Sequence, residues 1–121
     1  MSKPTEQEIA HASTAPCVTQ AGIDANIAGE HHFTAGDGFV GAQSRTTTDG
    51  AWDVSPPLQL DLLTFCVLVL KNGFTVTGES ACASPENFNA EIGRRIAREN
   101  AVNKMWPLMG YALKQDLHRA T

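Results

Sequence analysis

The sequence predicts an α+β domain: a short N-terminal helix, an antiparallel β-hairpin at about 62–82, and a long C-terminal helix at about 85–106, broken at Pro107 and followed by a short one. The observations behind this are local and close together in the chain. An apolar run from Leu62 to Leu70 meets Lys71-Asn72-Gly73 and returns as the alternating run Phe74-Thr75-Val76-Thr77. Ser84-Pro85-Glu86 then gives a helix-start signature, and Phe88, Ile92 and Ile96 recur at helical spacing behind it.

Residues 1–16 mix Ser, Thr, Pro, Glu and Ala without a period and predict a flexible arm, leaving 17–121 as one domain. Thr19 is placed to cap a helix over roughly Gln20 to His31, with Ile23, Ile27 and His31 as its apolar edge. From Gly36 to Pro57 the chain is rich in Gly, Thr, Ser, Asp and Pro, which predicts a variable polar loop at about 36–57. Trp52 in its middle is read as a plug that folds back onto the core, with a partner anchor as the alternative.

Asn72-Gly73 suits a two-residue type I′ turn. Such a turn pairs Lys71 with Phe74 and Val69 with Val76, then Val67 with Gly78, Phe65 with Ser80 and Leu63 with Cys82. One face then collects Leu63, Phe65, Val67, Val69, Phe74 and Val76, and Cys66 and Cys82 fall on opposite faces. The first strand is apolar on both faces, so one helix cannot cover it, and a homo-oligomer is expected to contribute.

Ser84 is read as the N-cap of the long helix, Pro85 as its first residue and Glu86 as the acid at its positive end. Phe88, Ile92 and Ile96 form its apolar line with Ala97, Ala101 and Met105 beside it, and Arg94, Arg95 and Arg98 lie on the solvent side. Gly93 is read as allowing close approach to the sheet near Gly78, and Pro107 as ending or kinking the helix.

A chain of 121 residues with 42% apolar and 18% charged residues fits one ordinary globular domain. Its net charge of −4 makes general nucleic-acid binding unlikely, because phosphate contacts need a surplus of Lys and Arg. The cysteines Cys17, Cys66 and Cys82 lack zinc-ligand spacing and read as reduced thiols of an intracellular protein. No secretory signal is visible, and the longest apolar run is well short of the roughly 20 residues that a membrane span needs.

The stretch from Thr64 to Leu113 resembles the phage gene-49/gene-66 family, small accessory proteins of tailed phages and prophages. The resemblance rests on Thr64-Phe65-Cys66, Leu70-Lys71-Asn72-Gly73-Phe74, Gly78-Glu79-Ser80-Ala81-Cys82, Pro85-Glu86-Asn87-Phe88, Ile92-Gly93, Ile96-Ala97, Asn100-Ala101 and Trp106-Pro107-Leu108-Met109-Gly110-Tyr111. It extends weakly to the segment from Thr19 to Phe33 and leaves out the Gly36–Pro57 loop. It implies a phage-encoded protein made in the cytoplasm of the infected host bacterium. It supplies no activity and no catalytic residues.

Several motifs are weaker than they look. Gly36-Asp37-Gly38-Phe39-Val40-Gly41 matches GxGxxG but lacks the preceding strand and following helix of a dinucleotide site, so a flexible turn is favoured. His31 and His32, with Asp37 or His11, offer no ligand spacing, and ordinary surface histidines are favoured over a metal. Cys82 is favoured as a packed cysteine over a nucleophile, since no histidine is tied to it. Ser80, Ser84 and Asn87, near the helix start, are candidate ligand contacts with Arg94, Arg95 and Arg98, whose bland reading is a solvated helix face.

These readings point to binding rather than catalysis, with no cofactor and no metal. The leading expectation is a non-enzymatic accessory protein that binds a host protein during infection, using the uncovered hairpin face with Trp52 and Phe74 as partner contacts. The alternative is an oligomer that captures a small anionic, nucleotide-derived signal of bacterial immunity between the Ser84 helix start and the arginines of a neighbouring copy. An enzyme comes third, because no acid–base pair assembles from the sequence.

Overall fold

A computed structural model describes residues 15–46 and 55–121. The protein is α+β, a three-stranded antiparallel sheet packed on one long helix. In chain order the elements are α1 (Gln20–Ala25), β1 (Ile27–Thr34), α2 (Ala35–Thr46), α3 (Leu58–Asp61), β2 (Leu63–Leu70), β3 (Thr75–Ala81) and α4 (Ala90–Arg119). The strand order is β1-β2-β3, with β2 in the centre.

Thr19 caps α1 as expected, its hydroxyl accepting from the Gly22 N–H at 3.0 Å. The helix stops at Asn26, however, and residues 27–34 form an edge strand instead of completing a helix to His31. Tertiary pairing explains the difference: β1 lies against β2, with His32 opposite Cys66 and Thr34 opposite Thr64. The hairpin therefore belongs to a larger sheet.

The first part of the loop expected over about 36–57 is also corrected, while residues 47–54 lie outside the described residues. Residues 35–46 are helical, and α3 precedes β2. The start of α2 is held by a reciprocal cap, Thr34 N–H donating to Asp37 Oδ2 and Asp37 N–H to Thr34 Oγ1, both at 3.0 Å. GxGxxG thus sits inside a helix that follows a strand, and not in a flexible turn. Trp52 and the arm up to residue 14 lie outside the described residues.

The hairpin forms with a different turn. Leu70 N–H donates to Phe74 O at 2.8 Å and Gly73 N–H to Leu70 O at 2.9 Å, so the loop is Lys71-Asn72-Gly73. Only Gly73 takes a positive φ, +90°; a type I′ turn would need one at Asn72 as well. Asn72 Oδ1 instead accepts the Phe74 N–H at 2.9 Å. The extra loop residue shifts β3 by one position, so Leu68 faces Val76 and Cys66 faces Gly78. Val76 therefore joins Cys66, Leu68 and Leu70 in the core. Cys66 and Cys82 now point to the same side, but Cys82 pairs beside Leu62, four residues or about 13 Å along the strand from Cys66, and both thiols are free.

Helix α4 covers that face of the sheet. Its buried line is Gly93, Ala97, Ala101, Val102 and Met105, rather than Phe88, Ile92 and Ile96. The reason lies at Gly78, where a Cβ would overlap the Ala97 carbonyl and the Ala101 backbone. Helix and strand approach so closely that only small residues fit the seam, and Ile92 and Ile96 turn outward, 44% and 37% exposed. Gly93 contacts Thr64 and not the Gly78 region. The opposite sheet face carries half-buried Leu63, Phe65, Val67 and Val69, with Phe33 of β1 packed at a tilt against Phe65 at a ring separation of 5.8 Å.

Two helix boundaries differ from the sequence reading. Ser84-Pro85 opens only a 3₁₀ turn, Pro85–Asn87, and α4 is capped by Asn89, whose Oδ1 accepts the Ile92 N–H at 3.0 Å. Pro107 does not break the helix, which continues to Arg119 with the proline on an exposed position. Packing of Met105 and Met109 on either side holds the helix together despite the missing N–H. Among the described residues no helix is long and apolar enough to cross a membrane.

Candidate functional site

The N-terminal end of α4 and the Thr34–Thr64 end of the sheet leave two neighbouring clefts. The first, about 140 Å³, lies between the ends of β2 and β3 and the start of α4, and includes Ser80, Cys82, Asn87, Phe88 and Ile92 in its lining. The second, about 90 Å³, is enclosed by His32, Thr34, Asp37, Thr64, Phe88 and Arg94. Thr64 and Phe88 belong to both.

The polar groups of the second cleft are unevenly satisfied. Thr64 is 3% exposed, and its hydroxyl has no hydrogen-bond partner. His32 Nδ1 is likewise buried and unpartnered. An orphaned buried polar group costs about 1–3 kcal/mol, so two on residues that line one cleft need an explanation.

The other side of the His32 ring is firmly held. Its Nε2 lies 2.8 Å from Glu30 Oε2, and Arg98 Nε lies 2.8 Å from Glu30 Oε1. Glu30 therefore bridges a β1 histidine and an α4 arginine. Its carboxyl is held below the usual range, chiefly by the His32 hydrogen bond and then by Arg98 against some burial, while Arg98 is held above its usual value by the same carboxylate. Burial pushes the nearby Cys66 thiol up to about 11.

The structure divides the sequence-predicted site residues. Ser80 and Asn87 line the first cleft, and Arg94 the second. Ser84 lines neither cleft: its hydroxyl donates to Glu86, whose carboxyl that contact holds below the usual range. Arg98 is taken by Glu30, and Arg95 is exposed. Cys82 donates to the Ser84 carbonyl at 3.1 Å and is half-buried. His31 and His32 alternate across β1, so His31 is exposed on the other face.

The grouping of Glu30, His32, Asp37 and Thr64 depends on residues 27–34 being a strand and 35–46 a helix, which the helix expected to His31 and the loop expected from Gly36 do not provide. Strand alternation at Glu30 and His32 was the signal that could have found it. The strand also brings together a histidine–carboxylate pair, His32 and Glu30, where no acid–base pair assembles from the sequence.

Phe74 stands apart at the hairpin tip, 55% exposed, with Leu108 and Tyr111 of α4 at 37% and 69%. Together with Leu70, Asn72 and Met109 they line a cleft of about 200 Å³.

Comparison with known families decides the chain's membership. The model of the phage protein (N4 Gp49/phage Sf6 gene 66) family matches residues 18–117. The chain belongs to this family. The match spans α2 as well, so the Gly36–Pro57 region, outside the resemblance in the sequence, lies within the matched span. No curated protein and no solved structure matches significantly. A phage gene-49/66 protein belongs to the context of an infected host cell.

Proposed function

We propose that this phage gene-49/66 protein acts in the host cytoplasm by capturing a small anionic ligand of the nucleotide-derived class, and not primarily by gripping a host protein. The observation that carries the reading is the buried, unpartnered pair of Thr64 Oγ1 and His32 Nδ1 at a cleft that also presents Arg94. Unsatisfied buried donors and acceptors beside a guanidinium are what a polar anionic ligand would complete. Phe88, shared by both clefts, adds an aromatic surface suited to a base, and Ser80 and Asn87 add polar contacts.

Cleft size gives the reading a second part. At about 140 and 90 Å³ each cleft is below the roughly 300–1,000 Å³ of drug-sized ligand sites. A nucleotide seated here would project outward, and a second copy of the chain supplies the remaining wall, with exposed Ile92 and Ile96 beside the opening.

A thermal-shift panel of linear and cyclic nucleotides tests this. A ligand at a hundred times its Kd stabilises by about 2.7 kcal/mol, several degrees of Tm, and the shift should shrink in Arg94→Gln. A flat panel for the wild-type chain overturns ligand capture. Turnover of a bound nucleotide would instead point to chemistry at the Glu30–His32 pair.

The exposed Phe74–Leu108–Tyr111 patch supports a second reading, docking of a host protein, because contiguous exposed aromatics mark interfaces. In that case a host protein retained by the wild-type chain should be lost from Phe74→Ala and Tyr111→Ala, with the nucleotide panel flat.

A further inference from the structure

The His32 ring, which lines the second cleft, is held through one of its two nitrogens. A carboxylate only accepts hydrogen bonds, so the 2.8 Å contact to Glu30 places a hydrogen on Nε2. In the neutral ring Nδ1 is then a bare lone pair, which repels an anion. In the imidazolium it is a donor, on a residue that lines the same cleft as the buried Thr64 and Arg94.

We propose that the His32–Thr64–Arg94 cleft is a proton-linked subsite for a tetrahedral oxyanion, a sulfate or a terminal phosphoryl group, which His32 binds as the imidazolium. The proposal rests on the ligand-capture reading and names the place where the ligand's charge is held. The volume suits one compact group: about 90 Å³ of room for water-sized centres, where a single water needs roughly 10–15 Å³ on that measure.

The charges around His32 come from every element packed against it. Glu30 on β1 and Asp37 on α2 favour the imidazolium, whereas Arg94 and Arg98 on α4 oppose it. Arg98 is offset by its contact with Glu30, and Asp37 is engaged in the cap of α2. Cys66, opposite His32 on β2, stays a neutral thiol. Arg94 remains the main opposing charge, and the anion itself neutralises it. Anion binding and protonation of His32 therefore strengthen each other, and each must raise the other's affinity by the same factor.

Sulfate is the probe, because its charge is constant across the range in which histidines titrate. The full chain is titrated at constant ionic strength, balanced with chloride, and followed by NMR of the imidazole nitrogens. Sulfate should raise the titration midpoint of His32. Above that midpoint its affinity should fall about tenfold per pH unit, the slope for uptake of one proton. Thr64→Val keeps shape and removes the hydroxyl, and should weaken sulfate severalfold; His32→Gln should abolish the pH dependence.

Sulfate binding that is flat with pH, or unaffected in Thr64→Val, overturns the proposal. The wild-type pH series and Thr64→Val carry the test even if His32→Gln folds poorly. Nucleotides that bind the wild-type chain without any pH linkage would leave ligand capture standing while this subsite falls. Failure of both sulfate and the nucleotide panel removes both.

Discussion

At the scale of single residues, position rather than residue type sets the chemistry. Cys17 is exposed and Cys66 fully buried, in one chain. Burial, with the Glu30 carboxylate adding to it, pushes the Cys66 thiol from the ordinary 9.0 to about 11. The folded protein thus keeps a proton that the unfolded chain releases, so stability should fall as pH rises from 9.0 towards 11. Urea melts across that interval should show a shallower decline for Cys66→Ala than for the wild type, whatever the packing cost of the substitution. At neutral pH a thiol reagent should modify Cys17 rapidly and Cys66 only at the rate of unfolding. Equal rates would contradict the burial of Cys66.

The elements show how local signals compete. Ser84-Pro85-Glu86 has every mark of a helix start, yet its serine makes no side-chain cap and the chain forms only a 3₁₀ turn. Asn89 provides the cap. Asn89→Ala should therefore cost about 1 kcal/mol in chemical denaturation, and Ser84→Ala only a few tenths. The reverse order would move the helix start back to Ser84. Pro107 makes the same point from the other side: a strong breaker is tolerated where the residues around it, Met105 and Met109, are packed against the core. In the hairpin, Asn72-Gly73 marked the turn correctly, but one extra loop residue reversed the facing of β3. Turn composition could not reveal that, because the same dipeptide serves two-residue and three-residue loops.

For the whole molecule the telling connection is Glu30, which joins β1 to α4 through Arg98 and holds His32 at the cleft. Its folded carboxyl titrates below the usual range, so its contribution is present above the unfolded carboxyl's range and lost as pH falls through the lowered folded value. Glu30→Gln should flatten the acid side of the stability–pH curve and leave the wild type its steeper loss. An unchanged acid limb, measured by thermal melts over descending pH, would mean that the bridge adds nothing to stability.

The hairpin, the long helix and the cap at Thr19 were determined by the sequence alone, because each rests on neighbours a few residues apart: a glycine free to take positive φ, a hydroxyl before a helix, apolar residues one turn apart. Ser80, Asn87 and Arg94 drew attention for the same reason, since they flank a recognisable helix start, and they line the two clefts. Only the tertiary structure could decide that residues 27–34 are a strand, that Ala97 and Ala101 rather than Ile92 and Ile96 meet the sheet, and that His32, Thr64 and Arg94 share a cleft. Those outcomes depend on pairing and on closeness of approach between segments far apart in the chain, and a strand's backbone gains its hydrogen bonds only once its partner is in place.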